Sequence, residues 1–236
     1  SVIGIADGDR ETTYLFCADS GDVIVTLFES GAEPLDLELA FGTMETLRAN
    51  GVPAPKPIRT REGRATLEAA GRLVALVGYV PGSPSSDPSP GRCESLGRVM
   101  ANIHAVLQRG GGRTVGGLRA GPVHGALEPE NVFFLGDTVS GVINFRLRHD
   151  DVMVSEIADV LVGWTSRPDG ALDGPKARGV LSGYRSVRTL SQAEEAALPG
   201  FVLSAAARRA ASGPDKAGLP YRAMLAYQSV TPELVG

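Results

Sequence analysis

Cysteine, aromatic residues and positive charge are all in short supply in this chain of 236 residues. The two cysteines, Cys17 and Cys93, lie far apart with no C-x-x-C spacing, so neither a disulfide nor a zinc site is implied and both read as buried or idle thiols. A net charge of −4 argues against a nucleic-acid partner, because phosphate binding calls for a clustered basic face. No apolar run is long enough to span a bilayer, and the N-terminus does not read as a signal peptide. No membrane partner is expected, and the expected location is the cytoplasm. Internal repeats are absent as well. With 43% hydrophobic and 21% charged residues, the composition is that of a globular protein of one or two domains.

Glycine and proline, by contrast, are plentiful, and much of the excess falls in residues 81–91 and 108–122, which read as loops. Gly4 to Asp9 reads as a glycine-bearing turn. Two β-prone runs follow, Thr12–Phe16 and Val23–Phe28, joined through Ser20-Gly21-Asp22. Over residues 36–49, Leu37, Ala40, Phe41, Met44 and Leu47 recur at helical spacing, with Asn50-Gly51 as the stop. Leu73–Val80 is a further strand. Beyond it, the patterning is helical over 94–107, 152–164 and 176–187, and Ser191-Gln192-Ala193-Glu194 is a capping box opening another helix to about residue 211. The tail after Gly213 shows no clear period. His104 flanks an apolar stripe and reads as structural.

The most informative stretch is His124-Gly125-Ala126-Leu127-Glu128-Pro129-Glu130-Asn131, followed by a hairpin pattern over 132–145 that ends in Asn144-Phe145. Its spacing is that of a kinase catalytic loop, H-x-D-x-x-x-x-N, with Ala126 at the place of the base and Asn144 at that of a metal-binding aspartate. Other segments agree: Gly4–Gly8, Val23–Glu29, Ala49–Pro55, Met100–His104, Leu135–Asp137, Ser140–Ile143 and Gly183–Arg188. Together they resemble the aminoglycoside-phosphotransferase (APH) superfamily, and within it the type II homoserine kinases. The resemblance implies an α+β, two-lobed, protein-kinase-like fold. Residues 1–80 would be a small antiparallel-sheet lobe lacking its first strand, because the chain opens inside the glycine turn. Residues 81–236 would be a helical lobe, with a hinge near Gly78–Val80.

The resemblance also implies what is missing. An alanine at 126 can neither take nor direct a proton, and such help is worth roughly 10²–10⁴-fold. The amide of Asn144 is a poor substitute for a carboxylate toward a hard cation. Asn131 is kept, and with Asn144 it forms at most a vestigial metal pair. Gly4, Gly8 and Tyr79 are vestiges of the nucleotide site, so neither cofactor nor metal is expected. Gln108–Pro122, with six glycines, stands where the family has a helical wall, and this leaves the acceptor pocket open on that side. Candidate replacements for the lost groups are Arg146, Arg148, His149, Asp150 and Asp151, with His124 and Glu128 in the loop itself. A histidine beside carboxylates suits proton transfer, and two arginines suit an anion. A salt-bridged surface turn explains the same residues.

Three functions follow as expectations. The first is a pseudokinase that binds a peptide or protein through the open cleft or an uncovered sheet edge, which would also favour homo- or hetero-oligomers. The second is a repurposed enzyme doing non-phosphoryl chemistry on a peptide, such as thioether cyclisation in lanthipeptide-type biosynthesis. The third is a surviving homoserine-kinase-like phosphotransferase.

Overall fold

The structure, a computed structural model, describes residues 1–7, 11–19, 21–28, 33–110, 112–145, 150–212 and 219–229. One antiparallel sheet dominates the first third of the chain. Its strands are β1 (Val2–Asp7), β2 (Glu11–Phe16), β3 (Val23–Phe28), β4 (Pro57–Ile58), β5 (Thr66–Ala69) and β6 (Arg72–Gly78), in the order β1-β2-β3-β6-β4 with β5 also on β6. Helix α1 (Pro34–Ala49) packs Phe41, Met44 and Leu47 inward, and its exit through Asn50 to Gly51 at φ +79° is the stop expected from the sequence.

The rest is mostly helical and shares one continuous core with α1. Helix α2 (Pro90–Gln108) starts at Ser89, whose hydroxyl accepts the Arg92 N–H at 3.1 Å. The strands β7 (Arg113–Val115) and β8 (Leu118–Pro122), then β9 (Val132–Leu135) and β10 (Thr138–Val142), flank the degenerate loop. Next come β11 (Asp150–Val152), α3 (Met153–Thr165), α4 (Gly174–Arg185), α5 (Gln192–Ser212) and α6 (Leu219–Ser229). The capping box is reciprocal: the Glu194 N–H donates to Ser191 Oγ at 3.2 Å, and the Ser191 N–H donates to the Glu194 carboxylate at 2.9 Å. The core joins Leu96, Met100, Ile103, Ile157, Leu161 and Tyr184 with α5 residues such as Leu198 and Val202. Among the described residues, no helix is long and apolar enough to cross a membrane.

The α+β architecture, a sheet followed by a helical part, is as read from the sequence, but three details change. Residues Gly4–Asp7 are strand rather than turn. With Val2 and Ile3 they pair with β2, so the sheet does have a strand before the turn position, and Gly8 and Asp9 lie outside the described residues. The glycine-rich span 108–122 is not a bare loop, because β7 and β8 form a hairpin that β11 extends to a three-stranded sheet. Leu118 and Ala120 anchor it to the core. The tail contains α6, where Ala226 is fully buried and the Ser229 hydroxyl accepts the Leu172 N–H at 3.1 Å.

Candidate functional site

The degenerate loop runs from the end of β8 to the start of β9 and is held by buried polar groups. His124 is fully buried. Its Nδ1 accepts the Ala126 N–H at 3.1 Å, and its Nε2 lies 3.1 Å from the Ile143 carbonyl. A backbone N–H can only donate and a carbonyl can only accept, so the ring is neutral with its proton on Nε2. His124 therefore ties the loop to the segment after the hairpin, and this geometry leaves neither nitrogen for proton transfer. The Asn131 amide donates to the Ala126 carbonyl at 3.0 Å, and the Asn131 carbonyl accepts the Ile143 N–H at 2.9 Å. The Trp164 indole donates to the Leu127 carbonyl at 2.7 Å. Because Leu127 is buried, Trp164→Phe orphans that carbonyl and costs about 1–3 kcal/mol; urea unfolding of the two proteins measures it.

The anchor under the loop is Glu156 of α3, which is 5% exposed and absent from the sequence-based candidates. Its carboxylate accepts the Gly125 N–H at 2.5 Å, the His124 N–H at 3.4 Å and His104 Nε2 at 2.7 Å. His104 Nδ1 in turn meets the Tyr184 hydroxyl at 2.9 Å, which bears out the structural reading of His104. Burial pushes the Glu156 carboxyl up. The hydrogen bonds from His104 and the Gly125 N–H outweigh it, so the net shift is below the ordinary value.

Beside Ala126 lies a cavity of about 350 Å³ bounded by Glu128, Asp151, Asp159, Arg208 and Arg209. Arg209 pairs with Glu128 at 3.0 Å, and Arg208 with Asp159 at 2.6 Å. Burial raises the Asp159 carboxyl, and Arg208 opposes that shift. Of the candidates read from the sequence, Ala126, Glu128 and Asp151 thus meet at one cavity. Asp150 does not join them; it pairs with Arg113 of β7 at 2.6 Å. Arg146, Arg148 and His149 lie outside the described residues. Asp159, Arg208 and Arg209 were missed. The signals available were the Glu156–Asp159 spacing on one helix face and the adjacent arginines late in α5.

Asn144 is exposed, in the left-handed region at φ +63°, a conformation that asparagine tolerates better than most residues. A magnesium ion, which the fold family implies, would meet two neutral amides, Asn131 and Asn144, and the Asn131 NH₂ is turned to a backbone carbonyl. That donor set does not fit a hard divalent cation, which prefers carboxylate oxygens. The Tyr79 N–H donates to the Asp22 carbonyl at 3.0 Å and the Gly78 N–H to the Lys56 carbonyl at 2.7 Å, so both hinge donors are used within the protein. Gly4 is a mid-strand residue paired with Tyr14, and Thr26 faces Thr13 and Ala75 within the sheet. Glu38 and Glu45 of α1 both pair with Arg59.

Comparisons with known proteins agree with this architecture. The profile of the family described as "APH: Phosphotransferase enzyme family" matches residues 1–115, ahead of the degenerate loop. The homoserine kinase of Azorhizobium caulinodans is 31% identical over 247 residues, covering 87% of this chain and 77% of that protein. That of Paramagnetospirillum magneticum is 34% identical over 253 residues, covering 87% and 78%. Among solved structures, the aminoglycoside phosphotransferase from Alicyclobacillus acidocaldarius superposes with a TM-score of 0.73 at 12% identity, covering 98% of this chain and 92% of its own. The microcompartment-associated aminopropanol kinase gives 0.65 at 20% identity, covering 100% and 86%. At such identities the structural matches speak for the fold alone.

Proposed function

Because the chain belongs to the APH/homoserine kinase superfamily while its loop lacks both carboxylates, we propose that it is a pseudokinase. In this reading it is a kinase-fold protein without phosphotransferase activity that binds a peptide or protein partner through its cleft or sheet edge. The observation that carries the reading is the chemistry at the loop. Ala126 offers a methyl where a proton acceptor is needed, and Asn131 and Asn144 offer neutral amides where phosphate charge must be offset. Phosphoryl transfer depends almost wholly on positioning and charge neutralisation, so removing both groups removes most of what the scaffold contributes. The loop is nevertheless well supported: Glu156, His124, Asn131 and Trp164 hold its backbone in one shape. A well-supported loop without the two carboxylates suits recognition better than turnover. The edge strand β1 adds a second surface, with Val2, Ile3 and Ile5 each more than half exposed.

A second reading is favoured by the identity of 31–34% to homoserine kinases, namely phosphorylation of homoserine or a similar small alcohol. In that case Asp151 or Asp159 of the cavity would have to act as the base. One experiment separates the two. The protein is incubated with γ-labelled ATP, Mg²⁺ and homoserine, and its melting temperature is followed with and without Mg·ATP. The expected result is no label on homoserine above the protein-free control and no magnesium-dependent shift in melting. Transfer of label well above that control would establish the second reading and remove the first.

A further inference from the structure

We infer that the cavity beside Ala126 holds the side chain of a lysine or arginine supplied by the bound peptide. This deepens the binding-protein reading and rests on it, since it names the chemistry of the partner at that same site. Three carboxylates, those of Glu128, Asp151 and Asp159, face two guanidiniums, those of Arg208 and Arg209, around the cavity of about 350 Å³. Glu156 also borders it but is turned under the loop, toward the Gly125 N–H and His104. The ion pairs Glu128–Arg209 and Asp159–Arg208 leave one negative charge over. The first pair is seated on α3, where a Cβ at Gly163 would lie 3.2 Å from Arg209 Nη1 and 3.3 Å from Glu128 Oε2. The surplus therefore falls on the side of Asp151 and Asp159.

The Asp159 carboxyl reflects the same imbalance. Burial and the charges of Glu156 and Asp151 push it up, and Arg208 opposes them without cancelling the rise. One further cation restores the balance, and charge complementarity of this kind selects a partner against anionic competitors. The walls are apolar, since Val123, Ala126, Val160 and Ala205 line the same cavity. Hydrocarbon walls with carboxylates beside them match a lysine or arginine, whose aliphatic stem packs on apolar surface while its head stays with the charges.

Trp164 is the single tryptophan, and its indole N–H donates to the carbonyl of Leu127, which lines the cavity, so the indole resonance in a ¹⁵N–¹H spectrum reports on the site. The probes are N-acetyl glycyl-lysyl-glycine amide, its norleucine counterpart, which lacks only the ammonium group, and butylammonium, which lacks the peptide. The expected result is a saturable shift of the indole resonance with the lysine peptide. Affinity should be at least tenfold weaker for the norleucine peptide and for butylammonium, and for the lysine peptide in Asp159→Asn. No saturable shift, or equal affinity of the lysine and norleucine peptides, would overturn the site without recourse to any substitution. Unchanged affinity in Asp159→Asn would do the same, and butylammonium binding as tightly as the peptide would overturn the peptide as its source. The titration contains no nucleotide, so its failure would leave the absence of phosphotransfer untouched. Label transfer to homoserine would remove the pseudokinase reading and leave a cavity that takes the lysine peptide in place.

Discussion

Gly183→Ala is expected to cost about 3 kcal/mol or more of folding stability, because overpacking of a tight interface already costs up to that amount when side chains can yield. Here the obstacle is backbone. A Cβ at Gly183 would lie 1.9 Å from the Glu94 carbonyl oxygen, one at Gly97 would lie 2.0 Å from that of Val180, and one at Gly179 would lie 2.6 Å from that of Pro90. Helices α2 and α4 therefore meet main chain to main chain, and an added methyl must drive them apart along the contact that seats Leu96, Val180, Leu181 and Tyr184. Gly200 of α5 is the control. A Cβ there meets nothing within 4 Å, so Gly200→Ala should stabilise by up to about 1 kcal/mol through helix propensity. Urea denaturation of both variants checks the opposite signs, and equal effects would contradict the backbone contact.

The second large effect is at Glu156. Each buried donor left without its acceptor costs about 1–3 kcal/mol, and Glu156→Ala strands two of them, at His104 Nε2 and at the Gly125 N–H. Exchange of the Gly125 amide should accelerate in the same variant, because its N–H loses the Glu156 carboxylate as acceptor. The pH dependence follows from the direction of the shift. The folded carboxyl sits below the ordinary carboxylate value, so its contribution is fully present above that ordinary value and is lost as pH falls through the folded one. Glu156→Gln, which cannot titrate, should therefore lie below the wild type in stability at neutral pH and converge on it in acid. Urea midpoints measured across that window test this, and parallel curves would show that Glu156 does not carry the linkage.

The stripes that were legible in the sequence were local ones. The helical patterning over 94–107, 152–164 and 176–187 rests on Leu96, Met100 and Ile103, on Ile157, Leu161 and Trp164, and on Val180, Leu181 and Tyr184, and all of these are buried. The Ser191–Glu194 capping box was equally legible, because its two hydrogen bonds close within four residues. The β7–β8 hairpin was not, since glycine-rich strands carry no alternating pattern and β8 is completed by β11, about thirty residues further along. Of the cavity, Ala126 and Glu128 were visible through the loop spacing, and Asp151 through the charged run after Phe145. Asp159, Arg208 and Arg209 were not, because α3 and α5 bring them there from distant parts of the chain.

The sequence by itself determined the family, the helical stripes and the loss of two carboxylates, since each is written in residue identity and short-range spacing. Only the tertiary structure decided that His124 is locked in one neutral tautomer, that Glu156 rather than a loop residue anchors the loop, and that three glycines let α2 and α4 touch. Those outcomes depend on distances between segments far apart in the chain. Periodicity and spacing encode which face of an element is apolar, whereas the partner that a buried polar atom or a bare backbone meets is set only when the elements pack.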